Sequence, residues 1–173
     1  MVMLPMAKVT AGLNFFLGNT QGTLQRNIIE PMQEVFGNIV GDIGSDNIAT
    51  ILGEKVYCIG ADKVSQVNKL RGSSVKYCYC DEAVTYNQEV FTMLKSRLDK
   101  AYSKCDLTCN PDTPLHWFEK FLGSNADIYL QHYTIGDNPF LPEVFKEQLK
   151  KEYLGTVWYD RYILGMWTIL RCY

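Results

Sequence analysis

The run V-K-Y-C-Y-C-D-E-A, Val75 to Ala83, decides the fold. Its mostly apolar first six residues read as an interior strand, and the adjacent acids Asp81 and Glu82 mark that strand's carboxyl end. In open α/β sheets ligands bind in the crevice outside the carboxyl ends of the strands, so an acid placed there reaches a metal-bound phosphate. This is a Walker B pattern. In it Asp81 holds Mg2+ through water, and Glu82 orients and deprotonates an attacking water. Two acids after an apolar strand also serve simply to cap a turn or the next helix, and the flanking sequence has to weigh one reading against the other.

Downstream, Asp106 to Cys109 reads as a second strand. The segment T-C-N-P-D-T-P-L-H-W-F, Thr108 to Phe118, puts Thr108 and Asn110 at its end, where a polar side chain can sense a γ-phosphate. Upstream, K-L-R-G at Lys69 to Gly72 sets Arg71 in a glycine-containing loop able to swing toward phosphate as an arginine finger does. A solvated loop charge is the other reading of Arg71.

Around these segments short apolar runs alternate with helical patterns, which predicts an α/β fold with a mostly parallel sheet flanked by helices. Leu13 to Leu17 reads as a strand. Thr20 or Thr23 caps a helix running to about Phe36, with Leu24, Ile28, Met32 and Val35 on one face, Pro31 as a kink and Gly37 as the stop. Asn47 to Leu52 and Lys55 to Ile59 form a hairpin about Gly53-Glu54. Residues 63 to 67 read as a short helix, and 68 to 74 as a loop. A helix from about Asn87 to Ala101 buries Val90, Phe91, Leu94 and Leu98. His116 to Phe121 reads as a helix, Asp127 to Tyr133 as a strand, and Pro142 to Leu154 as a helix ended by Gly155. No internal repeat, low-complexity tract or linker interrupts the 173 residues, which suits one compact domain.

Hydrophobic residues make up 47% and charged residues 21%, as in ordinary globular chains. Seventeen Lys plus Arg against nineteen Asp plus Glu leave a formal net charge of -2, so DNA contact has to be local or shared among partners. Met1 to Lys8 holds Pro5 and no long apolar stretch, which argues against a signal peptide or membrane span and for a cytosolic protein. The six cysteines, Cys58, Cys78, Cys80, Cys105, Cys109 and Cys172, lack the paired C-x-x-C spacing of a zinc site. They read as core thiols, with Cys78 and Cys80 on one face of their strand and Tyr77 and Tyr79 on the other.

In their order, R-G, the strand ending in D-E, a helix containing S-R-L and then T-C-N-P-D-x-P-x-H-W resemble phage terminase large subunits, from about Asn19 to Trp167. The resemblance implies a P-loop NTPase-like core of the ASCE type, with ATP and Mg2+ as cofactors. It makes Asp81 and Glu82 the Walker B acids, and Thr108, Cys109 and Asn110 a motif that couples hydrolysis to movement against DNA. It places Arg71 where a finger acts on a neighbouring subunit's nucleotide, with Arg97 as a weaker counterpart. His116 and Trp117 fit the family pattern as packing residues. The partners implied are double-stranded phage DNA, the terminase small subunit, the portal protein and neighbouring large subunits, in the cytoplasm of a bacterial host.

The chain also departs from that family. No glycine is followed by lysine, so the G-x-x-x-x-G-K-[ST] phosphate loop is missing, and Met1 to Thr10 carries Lys8 and Thr10 without its glycines. Past Gly165 to Trp167, where the family continues into a nuclease domain, only T-I-L-R-C-Y remains. The expectation is a single truncated ATPase domain over 1–173 without a nuclease domain, inactive alone. A motor ATPase fragment and a non-catalytic prophage remnant, which at most binds terminase partners or DNA weakly, both stay open.

Overall fold

The computed structural model describes residues 11–169. The readings of Met1 to Thr10 as lacking the phosphate-loop glycines and of Cys172 as a core thiol lie outside them, as does the T-I-L-R-C-Y tail from Leu170 on. Chain contacts divide the molecule into two units, one ending at Cys109 and one beginning at Asn110.

The first unit is built on a five-stranded sheet: β1 (Leu13–Gly18), β2 (Ile48–Ile51), β3 (Glu54–Gly60), β4 (Val75–Cys80) and β5 (Lys104–Leu107), in the order β2-β3-β1-β4-β5. The pairs β3–β1, β1–β4 and β4–β5 are parallel, and β2 pairs antiparallel with β3. The sheet is therefore mostly parallel, as the alternating pattern predicts. Strand β4 has the predicted bounds, whereas β5 begins and ends two residues before the expected run.

Helices α1 (Gln21–Leu24) and α2 (Glu30–Phe36) are joined by a π turn over Gln25–Ile29. Thr20 caps the start: its hydroxyl accepts from the Thr23 N–H while the Thr23 hydroxyl accepts from the Thr20 N–H. Gly37 stops the helix at φ 64. Within the π turn the Glu30 N–H bonds to the Gln25 carbonyl, five residues back. This wider turn ends immediately before α2, whose second residue is Pro31, so the ladder loosens where a donor is about to be missing. It also rotates the helix face by one residue. Leu24 and Ile29 are the fully buried pair, Ile28 and Met32 pack at the side, and Val35, predicted to lie inside, is 73% exposed.

This helix covers the sheet face formed by Phe16, Val56, Cys58, Tyr77 and Tyr79. Period-2 geometry turns Phe15, Leu17, Cys78 and Cys80 to the opposite face. The close fit at the end of β1 requires Gly18, since a Cβ there would lie 2.8 Å from Leu24 Cγ. Between β2 and β3, Ile51 opposes Glu54, so the two-residue turn is Leu52-Gly53, one residue before the predicted pair. Both turn residues have positive φ (53 and 77), the type I′ arrangement whose twist matches a hairpin.

After β3 come a 3-10 turn, Val64–Gln66, and α3 (Val67–Leu70), which extends the predicted short helix. Helix α4 (Gln88–Lys95) connects β4 to β5, is capped by the Asn87 side chain and buries Val90, Phe91 and Leu94. It ends at Ser96, well before Ala101, where the Ser96 hydroxyl bonds back to the Met93 carbonyl. Burial holds the Cys58 thiol up to about 12, in keeping with a core thiol.

In the second unit α5 (Trp117–Leu122) is capped by His116, whose Nδ1 accepts from the Phe118 N–H at 3.1 Å. His116 also stacks on Trp167, which agrees with its reading as a packing residue. Helix α6 (Glu143–Tyr153) follows Pro142, as expected. Arg161 pairs with Asp112 at 2.6 Å and donates to the Thr168 carbonyl, fastening the end of the described chain to its loop. The predicted strand Asp127 to Tyr133 is not one: no ladder forms there among the described residues, and Tyr129, Leu130 and Tyr133 are 86%, 65% and 67% exposed. β-branched and aromatic residues give a strand only where an edge is available to pair with them. Among the described residues no helix is long and apolar enough to cross a membrane.

Candidate functional site

The parallel strands β1, β4 and β5 end side by side, and Asp81, Glu82 and Thr108 meet at that edge. Each link in the arrangement is short-range. The Leu17 carbonyl, at the end of β1, accepts from the Asp81 N–H at 2.8 Å and also from the hydroxyl of buried Tyr86. The Thr108 N–H bonds to the Cys80 carbonyl at 2.9 Å, and the Ala83 N–H returns to the Thr108 carbonyl at 2.8 Å. The turn after β4 is thus sewn to β1 on one side and to β5 on the other.

The side chains complete the stitching. Thr108 Oγ1 accepts from the Glu82 N–H at 3.2 Å and donates to Asp81 Oδ1 at 3.2 Å. Asp81 is half-buried and Glu82 exposed. Thr108 engages Oδ1, which leaves Oδ2 for a metal ion or its water. Carboxylate and hydroxyl oxygens are hard donors of the kind that Mg2+ takes, so the residues present fit that ion. Glu82 itself has left-handed backbone, φ 51 and ψ 51, with its carbonyl accepting from both the N–H and the hydroxyl of Thr85 at 2.8 Å. A non-glycine residue held there is strained, and such strain is found where a side chain must be aimed. Burial, helped by the Glu82 charge, keeps the Cys109 thiol above its ordinary range.

Of the residues singled out from sequence, the fold brings Asp81, Glu82 and Thr108 together. Arg71 stands elsewhere: it follows α3 and precedes β4, at the amino end of the strand whose carboxyl end bears Asp81. The six residues of β4 separate the two by roughly 16–20 Å at the rise of an extended strand. Arg97 belongs to the same amino-end edge, where its carbonyl accepts from the Val75 N–H. Asn110 opens the second unit and there lines an open cavity of about 410 Å³ with Tyr133, Thr134, Asp137, Asn138 and Tyr162.

Sequence reading missed Tyr86 and Thr85, which hold the acid turn without touching its reacting face. The available signal was their spacing: a hydroxyl three residues after Glu82 can bond back to its carbonyl, and an aromatic hydroxyl next to it needs a buried acceptor.

A family model described as "Terminase large subunit, T4likevirus-type, N-terminal" matches residues 7–169. The chain is also similar to solved structures of the large terminase of a thermophilic bacteriophage. One crystal form is 30% identical with a TM-score of 0.76, over 94% of this chain and 42% of that one. The same terminase in complex with ADP is 30% identical at 0.74, again over 94% and 42%, and in complex with ATP-gamma-S it is 28% identical at 0.75, over 95% and 42%. The chain therefore spans about two-fifths of the length of those relatives. The ATPase domain of the large terminase of Thermus phage P74-26, 13% identical with a TM-score of 0.53 over 94% and 79% of the two chains, shares the fold. No curated protein matches.

Proposed function

This chain belongs to the terminase large subunit family, and from that premise we propose that it carries the acid and sensor edge of the nucleotide-hydrolysing site that drives viral double-stranded DNA into a capsid. The observation that carries the reading is the Thr108 hydroxyl, which joins Asp81 and Glu82 through one oxygen. The complexes of the thermophilic phage's terminase with ADP and ATP-gamma-S support nucleotide as the ligand class.

In this reading ATP with Mg2+ supplies the phosphoryl group and the charge that balances it. Asp81, whose position is fixed by Leu17 and Thr108, would hold the ion through water. Glu82 takes the proton of an attacking water as general base. Thr108, Cys109 and Asn110 pass the state of the site to the second unit, because the chain crosses between the units at that motif. Arg71, at the far end of β4, is suited to a neighbouring subunit's nucleotide and not to its own. Small subunit, portal protein and further large subunits are the proposed partners, and the host cytoplasm the proposed place of action.

Manganese tests the acid edge directly. Added to the isotopically labelled chain, paramagnetic Mn2+ should broaden the amide signals of residues 81, 82 and 108 before any others, and Asp81→Asn should abolish this. Broadening centred elsewhere would remove the reading. Because no glycine is followed by lysine, the isolated chain should hydrolyse ATP no faster than its Glu82→Gln variant. Magnesium-dependent turnover lost in Glu82→Gln would show that the chain cradles phosphate by another segment.

A further inference from the structure

Beneath the acid edge, on the sheet face turned away from α1 and α2, three cysteines converge. Cys78 and Cys80 alternate along β4, and the parallel pairing of β4 with β5 sets Cys105 directly opposite Cys78. Their sulfurs lie 3.6 Å apart between Cys78 and Cys80 and 3.9 Å between Cys80 and Cys105, all three within 4.8 Å of one another. We infer that these three thiols form a binding site for one thiophilic cation of the Zn2+ or Cd2+ class.

The spacing suits the chemistry. Sulfurs about a tetrahedral Zn2+ sit about 3.8 Å apart, as follows from a Zn–S bond of about 2.3 Å. A triangle with sides of 3.6, 3.9 and at most 4.8 Å has a centre about 2.4 Å or less from each corner, which is bonding distance for such an ion. Sulfur donors select soft cations over Mg2+, so this site would not compete with the oxygen donors of Asp81. Binding converts three thiols to thiolates and releases three protons to solvent. A divalent ion with three thiolates then leaves a single negative charge, far less costly to bury than three.

Access is also provided. Cys78 and Cys80 are wholly buried, but Cys105 keeps some exposure on β5, the border of the sheet among the described residues. An ion arriving at that border meets Cys105 first. Once bound, it ties β4 to β5 directly under the turn that carries Asp81 and Thr108. Neither C-x-C nor the distant Cys105 announces such a site in sequence; only the strand register assembles it.

Cd2+ titration of the reduced 173-residue chain, followed by the ultraviolet sulfur-to-cadmium charge-transfer band, tests the assignment. One equivalent should bind with the intensity of three thiolates. Cys105→Ser should lose a third of that intensity and weaken binding at least about 100-fold, the upper range found when mere outer partners of a metal site are removed. Cys58→Ser, altered on the opposite face, should bind as before. Alkylation mapped by mass spectrometry gives a reading on the unsubstituted chain: Cd2+ should protect Cys105, the accessible member of the three, and leave Cys109 as reactive as before. Absence of stoichiometric binding, an unchanged band in Cys105→Ser, or protection centred on Cys58 or Cys109 would each overturn the site.

Discussion

Thr108 Oγ1 donates to Asp81 Oδ1 at 3.2 Å, so the strand after the acid turn holds the carboxylate that the turn presents. The same oxygen accepts from the Glu82 N–H, and a substitution at 108 therefore acts on both acids at once. Thr108→Val should lower stability by about 1 kcal/mol, the usual worth of a hydrogen bond in an accessible place. Thr108→Ser should restore it. Urea unfolding followed by circular dichroism would show a lower midpoint at unchanged slope for the valine variant alone.

Glu82 occupies left-handed backbone that a side chain disfavours. Glu82→Gly should accordingly be more stable than Glu82→Ala by about 1 kcal/mol, the penalty of a Cβ in that region. Comparing two variants that both lack the carboxylate isolates the backbone. Equal unfolding midpoints would mean that the turn relaxes once the acid is gone.

Alkali should unfold the chain in a defined window. The Cys58 thiol ionises near 9.0 when free but only at about 12 in the fold, so between these values the unfolded state binds fewer protons than the folded one. Stability must then fall as pH rises, by at most about 1.4 kcal/mol per pH unit from this thiol. Burial raises the Tyr77 and Tyr86 hydroxyls in the same direction. Cys58→Ala should show a shallower decline across the window in urea titrations at stepped pH.

Duplex DNA should bind weakly to the isolated chain. The net charge is -2, and on α6 Lys146 and Lys150 are each paired with a glutamate, Glu143 and Glu147. Binding in the non-specific range, about 10⁻⁴ to 10⁻⁶ M at physiological salt and tighter below it, is expected. Fluorescence anisotropy with a short duplex at two salt concentrations measures this. Nanomolar affinity that survives physiological salt would show a complete DNA site in the chain.

The acid turn was legible in sequence because its signal is local: an apolar run fixes β4, and two acids can only follow it at the carboxyl end. Thr108 was legible as a strand-end polar residue, but its bond to Asp81 depends on the β4–β5 register, which no single segment encodes. The same reason hides the meeting of Cys78, Cys80 and Cys105. The helix before β2 shows the opposite failure. Its cap at Thr20 and its stop at Gly37 are local and were readable, yet one extra residue in the π turn moved Ile29 inward and put Val35 in water, because periodicity assumes an unbroken α ladder. Asp127 to Tyr133 carries the β-branched and aromatic residues of a strand around Ile128 to Leu130, and such composition cannot report whether a partner exists.

Strand β5 is short and borders the sheet among the described residues, and a border strand is where pairing with a further chain has to be discouraged. Lys104 and Asp106 are its guards: charged, exposed side chains that make edge-to-edge self-association unfavourable. Asp106 is also committed to the Tyr77 hydroxyl, at 2.8 Å. Neutralising both positions would therefore act twice, taking the acceptor from the buried Tyr77 hydroxyl and the charge from the border, and so favouring the addition of further strands there.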